Sequence, residues 1–503
     1  MKEQVKPLRR KYPIMDYKWE QFGDEIKQSV QDAVERGDFS RLNQTVNDSV
    51  SRAADAISRG MKNGGWYRDP KANSGRNPDP GMAGSRNGAD APWNRGGQQN
   101  VRPQYPAQSQ VRYLKENCAE TIKKLSINSP STAWTLPQIM WLNEHESDIL
   151  RNTRRIYFAK DYIRHLITGD FLTDSIEAMG AMLANDFTGE WSPELCALGK
   201  VDISTLPEIK QPTDIAGYVG TRTAAETGLS MKTPVIVGTT DTVLEVYASG
   251  AVTQGCATVK LATAGRICPI TDHAIDNFQF FNYRHIVPGL WYPGTTSRTC
   301  AASYKWYRDV FGTAEAETAR RLNTSTYEVL NRAAEQVPAG SEGLFFHPYL
   351  MGELTPYYDD NLRASFTGVS MHHTKGHFSR AVMEGISYSM RDCLEEIKAQ
   401  KIAVDQYRII GGGAKGKLWR QILCDVLGTP LTCTVDNDSS LGAAMLAGVA
   451  IGAFDGYEDS VARCVRVADV VTPIPENMKI YEEGFQIYRE IEKAMAPIYN
   501  RAK

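Results

Sequence analysis

The sequence predicts an α/β protein, on three observations. From about residue 115 to the end, short apolar runs alternate with amphipathic segments of helical period. Glycines punctuate the junction between an apolar run and a following helix at Gly238 and at Gly411-Gly412-Gly413, as they do where a strand turns into a helix. The 503 residues are 42% hydrophobic and 23% charged, an ordinary globular balance in a chain long enough for two or three domains.

Ahead of that region the texture differs. Apolar residues recur at helical spacing through Ile26, Val30, Ala33 and Val34, then Phe39, Leu42, Val46, Val50, Ala54 and Ile57, with Gly37-Asp38 between them. This predicts a helical head over 1–61, either weakly docked or serving self-association or a partner. Residues 62–112 are rich in Gly, Pro, Asn, Ser and Arg and cannot bury enough apolar surface to offset their ordering entropy, which predicts a flexible, disordered linker. Two further units are expected, 113–252 and 253–503.

Taken in order, "STAWTLPQIMWLNEHESDIL" opens a helix, with Thr135 as candidate N-cap and Pro137 in the first turn. "KDYIRHLITGDFLTD" is a helix stopped by Gly169. In "PVIVGTTDTVLEVYASGAV" the run Val235–Val237 predicts a buried strand broken at Gly238, and an apolar helix follows from Thr242. Asp241 stands at that turn. Taken locally it reads first as a helix cap and second as a catalytic carboxylate, since α/β proteins place chemistry at the carboxyl ends of strands.

"ATVKLATAGRICPIT" predicts a hairpin pivoting around Ala264-Gly265, whose small residues and one hydroxyl, at Thr263, suit either a plain turn or close approach to a phosphate. In "HPYLMGELTPYYDDNLRASFTGVS" the acids Glu353, Asp359 and Asp360 read as solvated loop residues, and His372, His373 and His377 as surface residues rather than metal ligands. "YRIIGGGAKGKLWRQILCDVLGTPL" is strand, glycine turn and helix, with "LTCTV" as the next strand. Three glycines let backbone lie against a flat or phosphorylated ligand, and the helix N-terminus offers N–H groups to anions, although triple glycines also serve as plain turns.

The totals exclude several classes. A formal charge of −2 gives no basic field for nucleic acid. Nine scattered cysteines without a CxxC pair fit reduced thiols better than disulfides or a structural metal. No stretch approaches 18 apolar residues and the N-terminus is charged, so a soluble, cytoplasmic protein without membrane partners is expected.

In sequence order these pieces resemble the FGGY family of carbohydrate kinases. "ASFTGVSMHHTKGHFSRAVMEG" is similar to the family's C-terminal signature at Ala364, Phe366, Gly368, Val369, His377, Phe378, Ala381, Val382, Met383 and Glu384. "GGGAKGKLWRQILCDVLGTPL" resembles its adenosine motif at Gly411, Gly412, Gly413, Ala414, Lys415, Trp419, Gln421, Asp425 and Gly428. "TLPQIMWLNEHE" resembles the N-domain signature with Gln138 in place of Lys, "SSLGAAMLAGVAIGAF" the closing helix, and "GELTP" the acidic loop with Leu354 in place of Arg.

The resemblance implies a two-domain actin-like (ribonuclease H-like) ATPase fold, ATP and Mg2+ as cofactors, and transfer of a phosphoryl group to a sugar hydroxyl. It implies Asp241 as the general base, with Thr242 beside the sugar where the xylulokinase-like branch usually has Asn. "KLATAGRI" then aligns with the phosphate-binding hairpin, where Thr263 and Gly265 match while Ala262 and Ala264 depart. The acceptor is expected among pentuloses, pentoses and polyols. Residues 1–120 contain no DxGT-type phosphate turn, so the first kinase domain is expected to be truncated and joined to an unrelated head. Two readings follow: a sugar kinase whose missing half-domain comes from a partner chain, or an impaired kinase acting as a nucleotide-binding or interaction protein, with homodimerisation left open.

Overall fold

The computed structural model describes residues 107–501. The predicted head, and the predicted linker up to residue 106, lie outside the described residues. Residues 109–224 with 230–503 form one compact unit, which carries the elements that matter for the site.

Its first part opens with α1 (Gln108–Asn117), which begins inside the tail of the predicted linker, followed by α2 (Ala119–Leu125), α3 (Thr135–His145), α4 (Ser147–Arg151) and α5 (Ala159–Thr168). Then come β1 (Leu172–Asp174), α6 (Ser175–Gly180), α7 (Pro193–Leu198), β2 (Glu208–Lys210), β3 (Ile215–Tyr218), α8 (Thr221–Thr227), β4 (Pro234–Ile236) and α9 (Asp241–Ala248). Strands β1 and β2 pair in parallel, β3 and β4 antiparallel.

The second part comprises β5 (Cys256–Leu261), β6 (Gly265–Pro269), β7 (Thr295–Ser297), α10 (Ala301–Phe311), α11 (Thr313–Leu322), α12 (Thr326–Glu335), β8 (Phe345–His347) and β9 (Ser365–Thr367). It continues with α13 (Lys375–Ala399), β10 (Gln406–Ile410), α14 (Lys417–Leu427), β11 (Leu431–Thr434), α15 (Ser439–Ala450), α16 (Tyr457–Cys464), β12 (Val467–Val471) and α17 (Pro475–Arg501). Six strands form one mixed sheet in the order β12-β11-β10-β5-β6-β7, with β11, β10 and β5 parallel at its centre. Strand β5 is covered on both faces: Ala257, Val259 and Leu261 are fully buried on one, and Cys256 and Thr258 are buried on the other beside Lys260.

Several expectations hold residue by residue. Gly169 closes α5 in the left-handed region at φ 82°, its N–H returning to His165 O at 2.7 Å. Trp419, Ile422, Leu423 and Val426 form the buried stripe of α14. Others are corrected. Thr135 is the first helical residue of α3 rather than its cap; the cap position is Trp134, and the Leu136 N–H finds Ala181 O at 3.0 Å, so a backbone carbonyl from elsewhere in the fold replaces a side-chain cap. Of the 235–237 run Val237 is buried as predicted, but Val235 and Ile236 are half-buried, because among the described residues β4 pairs with β3 alone. The hairpin turns at Ala262-Thr263-Ala264, since Gly265 already pairs with Leu261.

Candidate functional site

The chain from β4 to α9 delivers Asp241 through a turn fixed at three points. Gly238 takes φ 71°, which a side chain would strain. Val237 O accepts from Arg164 Nη1 at 2.6 Å, and the buried Thr239 donates its hydroxyl to Asp174 Oδ1 at 2.8 Å. Thr240 occupies the cap position of α9 and Asp241 follows it as the first helical residue, so Asp241 is not the cap that local reading put first. Its carboxylate is exposed and, among the described residues, accepts only from the neighbouring Thr242 hydroxyl at 3.3 Å. A first-turn acid is favourably placed beside the free N–H groups of a helix start, and without an ion pair it is left open to a substrate.

Behind the turn lies a charged network that the sequence reading did not single out. Asp174 caps α6 through the N–H groups of Ile176 and Glu177 and pairs with Lys160 Nζ at 2.7 Å. Lys160 also pairs with Asp161 at 2.5 Å, and Arg164 joins Asp161 to Asp170. Burial pulls the Lys160 pKa down, but Asp174 and Asp161 outweigh it and hold the ammonium above its ordinary range. Burial pushes the Glu177 carboxyl up to about 7, with the charges of Asp174, Asp161 and Asp241 adding to it against Lys160. The signal was present in the charge density of "KDYIRHLITGDFLTDSIEAM", which is high for segments that pack against a core.

The other two predicted pieces lie side by side at the carboxyl ends of adjacent parallel strands, because β10 pairs with β5 up to Ile410 opposite Lys260. Gly411 has φ 93°, and a Cβ there would sit 2.6 Å from Leu261 O; Gly413 is equally close, at 2.8 Å from Leu261 Cβ. The glycine turn therefore rests directly on the strand that leads into the hairpin. Gly412 faces open space, with Ala414 half-buried and Lys415 exposed beyond it. At the hairpin tip the carbonyls of Ala262 and Thr263 accept from Ala301 and Cys300 N–H at 2.8 and 3.0 Å, which uses up the start of α10 and leaves the exposed Thr263 side chain at the tip. Gly265 is required by packing, since a Cβ would lie 2.3 Å from Met390 Sδ.

Three motif acids are structural. Glu353, expected to be solvated, is fully buried and accepts from Ser297 Oγ, Ser389 Oγ and the N–H groups of Arg298 and Leu354; a distant strand covers a loop whose local sequence looks exposed. Glu384 gathers Gly340 N–H, Ser341, Arg380 and Tyr481. Asp425 receives Ile474 N–H and Asn477 Nδ2, both at 2.8 Å, tying α14 to α17. His372 and His377 pair with Glu342 at the surface. Among the described residues no group of three metal-ligating side chains gathers, and no helix is long and apolar enough to cross a membrane.

Residues 106–247 match the FGGY family of carbohydrate kinases, N-terminal domain, and residues 252–451 match its C-terminal domain. Fold and matches together define a phosphotransferase of the two-domain actin-like ATPase class, using ATP and an alcohol group as acceptor. The chain belongs to the FGGY family of carbohydrate kinases. It is 30% identical over 415 residues to the xylulose kinase of Lactococcus lactis, covering 79% of this chain and 80% of that one. The gluconokinase of Bacillus subtilis is 28% identical over 370 residues, covering 73% and 72%. The crystal structure of xylulose kinase from Rhodospirillum rubrum superposes with a TM-score of 0.69 at 26% identity, over 78% of this chain and 79% of that one.

Proposed function

We propose that this chain phosphorylates a hydroxyl of a pentulose, pentose or polyol from MgATP, in the manner of the xylulose kinases it resembles, with Asp241 as general base. The observation that carries the reading is the exposed carboxylate of Asp241, without an ion pair among the described residues, on a turn locked by Thr239–Asp174 and Val237–Arg164. Asp241 takes the proton from the attacking hydroxyl, a role worth about 10²–10⁴ in rate. Thr242 lies beside it on the acceptor side. The locked turn keeps the carboxylate in place, so little reorganisation is needed as the proton moves.

The nucleotide fits the glycine turn: Gly411, Gly412 and Gly413 leave backbone bare on one side, and Ala414 and Lys415 extend the same ledge. Thr263 and Gly265 lie at the hairpin where the phosphates would approach. Magnesium, when bound with the nucleotide, would neutralise phosphate charge. The same reading divides the described chain into an acceptor part ending near residue 252 and a nucleotide part from 253, and the unpaired cysteines suit a cytoplasmic setting.

The test is ATP consumption by the full chain against a panel of pentuloses, pentoses and polyols, beside Asp241→Asn. Acceptor-dependent turnover lost in the variant supports the reading; turnover unchanged in Asp241→Asn removes Asp241 as the base.

A further inference from the structure

Helix α9 and strand β5 lie against each other and run in opposite directions. The helix ends at Ala248, and a short connection leads to the first residue of β5, Cys256. Alternation puts Cys256, Thr258 and Lys260 on one face of the strand. Cys256 belongs to the apolar cluster of Val243, Leu244, Val246 and Tyr247, so that face is the one α9 covers. Glu245, in the middle of the helix, pairs with Lys260 near the far end of the strand. The helix therefore starts at the carboxyl end of β5 and runs back along it. Asp241 lies one helical turn before Glu245, about 6 Å further out, in the direction in which β5 continues to the hairpin tip at Thr263.

Lys260 is a junction on the nucleotide side. It stands opposite Ile410, the residue before the glycine turn, and next to Leu261, on which Gly411 and Gly413 rest. The hairpin tip follows directly, held through the carbonyls of Ala262 and Thr263 to the start of α10. On the Asp241 side, Thr239 and Val237 tie the turn to Asp174 and Arg164, and Gly442 and Met445 hold the flank of α9 against α15. Among the described residues, Glu245–Lys260 is the polar link between α9 and the carboxyl end of β5. The two side chains are 28% and 20% exposed, so solvent screens the pair less than one on an open surface.

We propose that Glu245 and Lys260 are positioning residues for phosphoryl transfer, their ion pair fixing the distance between the Asp241 carboxylate and the phosphate hairpin. Neither side chain touches the reacting atoms. In-line transfer needs the attacking oxygen about 3–3.5 Å from the phosphorus. The oxygen is presented from α9 and the phosphorus from the hairpin, so the way α9 sits on β5 sets that gap. Cutting the pair lets the first turn of α9 drift against the strand end while both binding surfaces stay whole. The proposal rests on the reading of Asp241 as base and of the 262–265 hairpin as the phosphate site.

The experiment uses the full chain with MgATP and the acceptor it turns over best, beside Glu245→Met, Lys260→Met, the double variant and Lys260→Arg. Methionine keeps each apolar stem and removes the charge. Each single methionine variant should lower kcat about 10- to 100-fold and leave KM for ATP and for the acceptor within about threefold. The double variant should fall no further than the worse single one, because one interaction is lost in all three. Lys260→Arg keeps the pair and should keep most of kcat. A loss confined to Lys260→Met, with Glu245→Met at the wild-type rate, would place the ammonium on the phosphates and overturn the proposal. Unchanged kcat in both single variants, whatever their urea midpoints, would reduce the pair to a structural one.

Amide hydrogen exchange over residues 239–245, with and without the non-hydrolysable ATP analogue AMP-PNP, reads the link without turnover. The analogue should slow exchange there in the wild type and in Lys260→Arg, and not in Glu245→Met or Lys260→Met. If no acceptor is phosphorylated but this pattern is found, the link stands and the kinase reading fails. Equal slowing in all the proteins, or none in the wild type, overturns the link.

Discussion

Gly411 and Gly412 are neighbours that should respond to alanine in opposite ways. At Gly411 the backbone has φ 93° and ψ 168°, a region essentially confined to glycine that costs any other residue about 1–3 kcal/mol. An added Cβ would also meet Leu261 O at 2.6 Å and its carbonyl carbon at 2.8 Å. Both are backbone of a central strand and cannot swing aside, so a typical overpacking cost of about 1–3 kcal/mol applies. The sum for Gly411→Ala is about 2–6 kcal/mol of stability. At Gly412 nothing lies within 4 Å and φ is unexceptional, so Gly412→Ala should change stability by a few tenths, with the sign set by the unfolded chain. The assay is urea unfolding of the nucleotide-free protein followed by tryptophan emission, since Trp419 packs beside Gly413 and is 3% exposed. Calorimetric titration with ATP follows. Gly411→Ala should shift the midpoint down and weaken ATP; Gly412→Ala should leave the midpoint in place and affect ATP alone, because its new methyl group points into the open space assigned to the nucleotide. Equal midpoints for the two variants would refute the account of how this turn rests on β5.

Asp241→Asn should reduce kcat by about 10²–10⁴ with an unchanged melting temperature, because the side chain is exposed and accepts only from Thr242; steady-state kinetics beside a melting curve checks both halves. Glu177, whose carboxyl is pushed from 4.5 up to about 7 in the fold, favours the folded state fully below about pH 4.5, and this contribution is lost as pH rises through about 7. Glu177→Gln should therefore flatten the fall in stability between those values and exceed the wild type at pH 8, measured as urea midpoints across the range. Glu384→Ala should cost about 3–5 kcal/mol, because it leaves Arg380 buried without its counter-charge; the ATP affinity of the fraction still folded should not change.

What the sequence disclosed was local. Gly169 as a helix stop, the β5–β6 hairpin, the glycine turn and the buried stripe of α14 each depend on a few consecutive residues, and each is found close to its predicted place. The misses depend on partners far along the chain. Thr239 meets Asp174 across 65 positions, and Glu353 meets Ser297 across 56, so neither anchor could be read from its own loop. Glu353 looks solvated among turn residues until a strand from elsewhere is laid over it. Asp241 shows the two levels combined. Its position at a strand-to-helix turn was legible, while its freedom from capping became visible only once Thr240 was seen to hold the cap position.

Helix α9 is continuous with the turn that bears Asp241, yet its flank is covered by the other part of the chain. Val243, Leu244, Val246 and Tyr247 pack with Met445 and Leu446, Gly442 lies so close that a Cβ would meet Leu244 O, and the Tyr247 hydroxyl bonds Ser460. Anyone building chimeras by exchanging the part of the fold before the six-stranded sheet between related kinases would be drawn to a junction after residue 252, where that sheet begins. A cut there would import a foreign α9 against a native α15 and mismatch a seam that tolerates no extra atom at residue 442. Moving the junction ahead of β4 keeps α9 with the helix it grew against, and transfers the anchoring problem to Asp174 and Arg164, where two polar contacts can be matched by choice of donor.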